Sequence, residues 1–175
     1  MDAERILDGL GVIYGEDLSS NVYLIEDKKK GVLAIDAGAY PVIEKEPSML
    51  ILTHAHFDHA GGVDDDWKNV YLHKDDFFDG PYFKIPAQAK EINFEKIKWG
   101  KFEFEILHTP GHTLGSICLL ERGRGVLISG DTLFADGVGR TDLGGDEKLM
   151  VKSLFRLRKL EWKILCPGHG DIANR

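Results

Sequence analysis

The sequence predicts an α/β (α+β) chain built as two similar β-sheets packed face to face, with helices outside. Three observations carry this. Eight short apolar or β-branched stretches, bounded by Gly, Pro or charge, read as strands, and one stretch reads as a well-formed amphipathic helix. The strands also fall into two sets of similar design: "VYLIEDKKKGVLAIDAG" followed by "MLILTHAH", and "ICLLERGRGVLISGDT" followed by a helix and "KILCPGHG". Each set is a hairpin, an acid closing its second strand (Asp36, Asp131), a crossover, and a strand ending in histidine. Because both sets carry His and Asp at strand ends, those ends are expected to meet at one edge of the sandwich.

The elements follow in chain order. Asn21–Glu26 and Gly31–Asp36 form a hairpin through the charged turn "DKKKG". Met49–Thr53 and Asn69–His73 are the next strands. Lys74–Trp99 has weak periodicity, two prolines, and the aromatics Phe77, Phe78, Tyr82 and Phe83; it reads as a helix-and-loop excursion whose aromatics serve as core or as a lid. Phe102–Leu107 leads to a second hairpin, Ser116–Glu121 and Gly125–Ser129, joined by "RGRG". In Asp146–Leu160, apolar residues recur at helical spacing, with acids at the start and bases near the end, so this helix faces a core. Lys163–Cys166 is the last strand.

Composition excludes several classes. The 175 residues suffice for one domain, residues 1–175, that buries roughly 70% of its extended surface. Hydrophobic content of 43% and charged content of 29% are those of an ordinary globular protein. A net charge of −7 argues against a nucleic-acid groove. No apolar run approaches a membrane span, and "MDAERILDGL" is not a signal peptide, so a cytoplasmic location is expected. Cys118 and Cys166 sit far apart in apolar contexts and read as reduced, buried thiols.

The chemistry is concentrated in "THAHFDHAGG". His54 and His56 are two apart, so on an extended segment they face the same way. Asp58 and His59 follow where the chain turns into a helix. Of seven histidines, five close strands: His54, His56, His59, His112 in "TPGHT" and His169 in "CPGHG"; Asp131 in "SGDT" joins them. Imidazole and carboxylate without thiolate suit Zn, Mn or Fe. Seven such side chains exceed one tetrahedral site and match two metals sharing a carboxylate. His73 and His108 lack companions at ligand spacing and read as isolated histidines, although His108 stands close enough to His112 to support it.

Taken in order, "THAHFDH", "PGHT", "GDT" and "PGHG" resemble the metallo-β-lactamase superfamily, over nearly the whole chain. The resemblance implies a four-layer αββα sandwich of two mixed β-sheets with the site at their open edge. It implies that His54, His56 and His112 hold a first metal, that Asp58, His59 and His169 hold a second, and that Asp131 bridges them. Asp58 and Asp131 would then be the catalytic carboxylates, and two Zn2+ the leading cofactors, with Fe2+ or Mn2+ as alternatives. Asp36 looks like the family's buried supporting acid; otherwise it is a strand-terminal turn residue. The metals would lower the pKa of water from about 15.7 to about 7, providing a nucleophile for an electrophilic carbonyl.

"FADGVGRTDLGGD" (residues 134–146) is similar to the "GRTD" segment of glyoxalase II-like hydrolases and of persulfide dioxygenases. There Arg140 either holds the loop over the site or binds an anionic end of substrate. Family members commonly place a proline before the Gly-Gly pair, where this chain has Leu143. Six residues follow His169, so the helical domain that helps glyoxalase II bind glutathione is expected to be absent. His56 stands where flavodiiron proteins have glutamate, and the nuclease branches add basic arms or domains. The expectation is a small metal-dependent hydrolase of a thioester or activated ester, with a small-molecule substrate and neither nucleic acid nor membrane as partner. The alternatives are a mononuclear iron persulfide dioxygenase using His54, His112 and Asp131, then a lactonase, then a non-catalytic metal-binding or redox-partner module.

Overall fold

The computed structural model describes residues 3–175. A first sheet is laid down in chain order: β1 (Glu4–Leu7), β2 (Leu10–Ile13), β3 (Val22–Asp27), β4 (Gly31–Ile35), β5 (Met49–Ile51), β6 (Val70–Leu72) and β7 (Lys90–Glu91). Its first four strands are antiparallel; β4 to β7 are parallel. The second sheet comprises β8 (Lys96–Trp99), β9 (Phe102–His108), β10 (Ile117–Glu121), β11 (Val126–Gly130), β12 (Ile164–Pro167) and β13 (Ala173–Asn174), in the spatial order β13-β12-β11-β10-β9-β8. Within it only β11 and β12 run parallel. The two sets therefore share one local plan, an antiparallel hairpin whose second strand takes a parallel neighbour through a crossover.

Alternation along each strand builds the layers. Leu33 and Ile35 on β4 enter the central core with Ile117 and Leu119 of β10, while Ala34 points to the outer face of the first sheet, and Cys118 and Leu120 to that of the second. The central cluster spans both sheets, with Tyr23, Ile25 and Ile51 against Phe102, Phe104 and Ile128. At about 25 cal/mol per Å² of apolar surface, this dry layer is the main force joining the sheets. Helix α2 (Glu147–Leu157) covers the second sheet through Leu157. Asp146 caps it, accepting from the Leu149 N–H at 2.8 Å. Its helical turns stop three residues short of the expected Leu160. The outer face of the first sheet is covered by the single turn α1 (Phe57–Ala60) and by coil bearing Val63 and Trp67.

The Lys74–Trp99 segment departs from expectation. It contains no α-helix: a 3₁₀ turn at Lys74–Asp76 gives way to coil and then to β7 and β8. Pro81 and Pro86, with Gly80, break any helical run. "KIKW" pairs with β9, and the period-2 burial of Ile97 and Trp99 puts Lys96 and Lys98 outside. Both cysteines are free and buried, as expected.

Candidate metal centre

The functional side chains sit where buried strands stop. The β5 ladder ends at Ile51, but residues 52–56 run on, still buried, into α1. This run delivers His54 and His56, and the first turn of α1 delivers Asp58 and His59. From the second half, the turn between β9 and β10 carries His112, and is closed by Thr109 N–H to Ser116 O at 2.8 Å. Asp131 follows β11, and His169 follows β12. Gly168 is obligatory, because a Cβ there would collide with Asp131 Oδ1 and approach the His59 ring.

The ligand-capable atoms fall into two sets, each within 4.8 Å: His54, His56 and His112, and Asp58, His59, Asp131 and His169. In the first set, protons can be assigned from partners. His56 Nε2–H donates to Leu143 O at 2.9 Å, and His112 Nδ1–H donates to Arg140 O at 2.6 Å. Thr53 Oγ1 donates to Asp36 Oδ2 at 2.8 Å and is 3.2 Å from His54 Nδ1, from which it accepts. Each ring thus keeps an unprotonated nitrogen, and these face one another: His56 Nδ1 and His112 Nε2 at 2.8 Å, His112 Nε2 and His54 Nε2 at 3.2 Å. Burial holds all three rings neutral, His54 well below the usual histidine range and His112 down at about 4. Three lone pairs aimed into one buried point repel unless a cation lies between them.

The second set has the same character. His59 Nδ1–H donates to Asp36 Oδ2 at 2.8 Å, turning Nε2 toward Asp131 Oδ1, 3.1 Å away. Neither atom is in hydrogen-bonding geometry, so both are buried polar atoms without a partner. His169 Nε2 lies 3.0 Å from Asp58 Oδ2 and 3.5 Å from Asp131 Oδ2, and the latter is also 3.5 Å from His112 Nε2. Asp131 therefore reaches both sets. Burial alone would raise its carboxyl, but His59 and His112 hold it down at about 2. Burial likewise disfavours charge on His59, yet Asp36 and Asp131 outweigh it and push that imidazole well above its usual range. The pocket draws positive charge. Orphaned atoms, converging lone pairs and a donor set of imidazole and carboxylate all fit divalent ions.

The supports were only partly foreseen. Asp36 sits beneath the site at φ +61°, a conformation rare for residues with a side chain, and its Oδ1 accepts the Thr53 N–H at 2.7 Å. The guanidinium of Arg140 turns outward into a two-pronged pair with Asp142, at 2.7 and 2.6 Å, and it is the residue's carbonyl that meets His112. Asp76 was missed. Fully buried, it accepts from Ala55 N–H (3.0 Å), Gly115 N–H (2.6 Å) and Thr113 Oγ1 (2.9 Å), bracing the two histidine loops against each other. Asn21 and Tyr23 hold the His169 segment through Pro167 O at 3.1 and 2.6 Å. No local motif marks these residues.

His73 and His108 are not isolated, contrary to the expectation from spacing. Thirty-five positions apart in sequence, they stack at 4.0 Å beside Asp75. The nitrogens facing that carboxylate are engaged, His73 Nδ1 by the Asp75 N–H and His108 Nε2 by Leu114 O, so this trio is a structural knot. Through Leu114, His108 steadies the loop of His112 without touching that ring.

Two mixed sheets with helices outside, and histidine and aspartate gathered at their common edge, define the class: the chain belongs to the metallo-beta-lactamase superfamily, whose family model matches residues 15–169. Among curated relatives it is similar to the hydroxyacylglutathione hydrolase GloC of Haemophilus influenzae, 33% identical over 88% of this chain and 87% of that one. Among solved structures it is similar to the BLEG-1 B3 metallo-beta-lactamase (32% identity, 94% of this chain and 93% of that one, TM-score 0.75). It is also similar to TTHA1623 in a di-iron-bound form (30% identity, 93% of each chain, TM-score 0.73).

Proposed function

We propose that this protein is a metal-dependent hydrolase acting on a thioester or similarly activated ester, with two divalent ions, zinc foremost, in the floor of the cleft. His54, His56 and His112 would hold one ion, Asp58, His59 and His169 the other, and Asp131 would lie between them. The observation that carries this reading is the inward turn of three unprotonated ring nitrogens, each fixed by a partner on the ring's other nitrogen. Similarity to a hydroxyacylglutathione hydrolase supports the thioester as substrate class.

Bound ions supply an acidified water at neutral pH and polarise the carbonyl. The chain's own residues do the rest. Asp58, part-exposed at the cleft, keeps its carboxylate ionised because His169 and His59 outweigh the effect of burial, so it can help hold an ion and orient a water beside it. Asp36 and Thr53 hold the rings of His59 and His54 in one tautomer, which fixes where the donors point. Water adds to the acyl carbon, the C–S bond breaks, and acid and thiol leave.

Metal analysis of protein purified without added metal, followed by anaerobic assay of small thioesters with the zinc, iron and manganese forms, tests the reading. Two ions per chain and thioester hydrolysis without oxygen are expected. Oxygen uptake with a persulfide by the iron form, with no thioesterase activity in any form, would overturn it in favour of a dioxygenase.

A further inference from the structure

The cleft above the donors has a volume of about 760 Å³ and an unusual rim. Leu18, Tyr40, Phe57 and Tyr82 come from four separate segments, and all line it. They are 83%, 67%, 47% and 51% exposed, so none serves the core. Scattered exposed apolar side chains need no explanation, but a set converging on one concave site marks a ligand surface. The set is ordered. Tyr40 meets Phe57 edge-on at 6.3 Å, Phe57 N–H donates to Tyr82 O at 2.9 Å, and Phe134 stands edge-on to His169 at 6.1 Å. The apolar rim thus reaches down to the donors themselves.

Charge on the rim points the same way. Among the described residues Arg140 is the one lysine or arginine lining the cleft, and its guanidinium is paired with Asp142. Asp17 adds a negative charge at the mouth. A substrate arm carrying carboxylates would find no free cationic partner among these lining residues and would lose hydration against aromatic surface.

We propose that the cleft selects acyl thioesters whose acyl group is an uncharged apolar chain or ring, and whose thiol part lacks carboxylates. This rests on the thioester reading for the reaction, while the binding preference stands on the rim alone. Partial burial of each added methylene is worth about two- to threefold in affinity. A hexanoyl thioester, four methylenes longer than an acetyl one, should therefore gain roughly 15- to 80-fold in kcat/KM.

The experiment uses neutral N-acetylcysteamine thioesters of increasing acyl length with the metal-loaded protein. In parallel, calorimetry measures binding of the S-hexyl and S-methyl thioethers of N-acetylcysteamine, and of S-hexylglutathione, which cannot be hydrolysed. We expect kcat/KM to climb with chain length, and the S-hexyl thioether to bind more tightly than both other compounds, with a negative heat-capacity change. The double variant Tyr40→Ala/Tyr82→Ala should flatten both trends. A flat chain-length series would overturn the proposal, as would S-hexylglutathione binding as well as the neutral thioether, or no thioether binding at all. Absence of hydrolysis in every metal form, with the S-hexyl preference intact, would instead refute the reaction and leave the rim's selectivity standing.

Discussion

Replacing Asp76 by alanine should damage the protein more than its distance in sequence from every motif suggests. The carboxylate is buried and receives three hydrogen bonds, from the loop of His54 and His56 through Ala55, and from the loop of His112 through Thr113 and Gly115. Burial pushes its carboxyl pKa up, against the opposing pull of those three donors and of His56. A hydrogen bond to a charged group contributes about 1.5–3 kcal/mol, and the truncated site strands three donors that water can partly re-solvate. The net loss should be about 3–5 kcal/mol, three such bonds less the part that water recovers. For a chain of this size that lowers Tm by about 6–20 °C. Asp76→Asn keeps two acceptor positions and turns an NH2 toward the third donor, so it should cost about 1–3 kcal/mol. Urea unfolding in chelator gives the stability with the metal removed, and a competing zinc indicator gives metal affinity, which should fall by about 10- to 100-fold as the two loops lose register. An Asp76→Ala protein within 1 kcal/mol of wild type, with unchanged zinc affinity, would show that the loops hold each other without this brace.

Three further outcomes are expected. Asp131→Ala should lower zinc stoichiometry at both sets of donors, since Asp131 faces each, and elemental analysis after gel filtration will show loss at both or at one only. Cys118 and Cys166, whose thiols burial pushes up to about 11 and about 12, should resist iodoacetamide at pH 8 in the native state and label fully in 6 M guanidinium, as mass spectrometry will report. Removing metal with a chelator should leave the far-ultraviolet circular dichroism unchanged, because the central core does not involve the donors. Restoring zinc to 100 times its Kd should add about 2.7 kcal/mol of stability, read as a rise in Tm.

The parts of this fold that could be read in sequence were those with local signatures. Leu33–Ile35 and Ile117–Leu120 are apolar runs because both of their faces are buried, and the charged turns between strands mark the hairpins. β7 is two residues long, and β8 hides its alternation behind lysines, so both are lost inside a segment that reads as a helix-and-loop excursion. The seven donors stood out because imidazole and carboxylate at strand ends are chemically costly without a partner. Their supports did not stand out. Asp76 meets its partners 21, 37 and 39 positions away, and Asn21 reaches Pro167 across 146, distances at which no spacing rule operates.

The clamp of Asn21 and Tyr23 on the His169 segment sets an order on biosynthesis. The same lead-in to β3 also joins the α1 segment, Ser20 N–H donating to Asp58 O at 3.0 Å, and the His169 segment, Asn21 N–H donating to Gly168 O at 2.7 Å. A chain emerging from the ribosome can pair β1 to β7 early, with His54, His56, Asp58 and His59 already present. Its inner face then waits uncovered for the second sheet, and the half-built donor cluster waits for a segment made nearly 150 residues after Asn21. The set of facing donors is therefore incomplete in a nascent chain until residue 169 emerges and Pro167 docks on Asn21 and Tyr23.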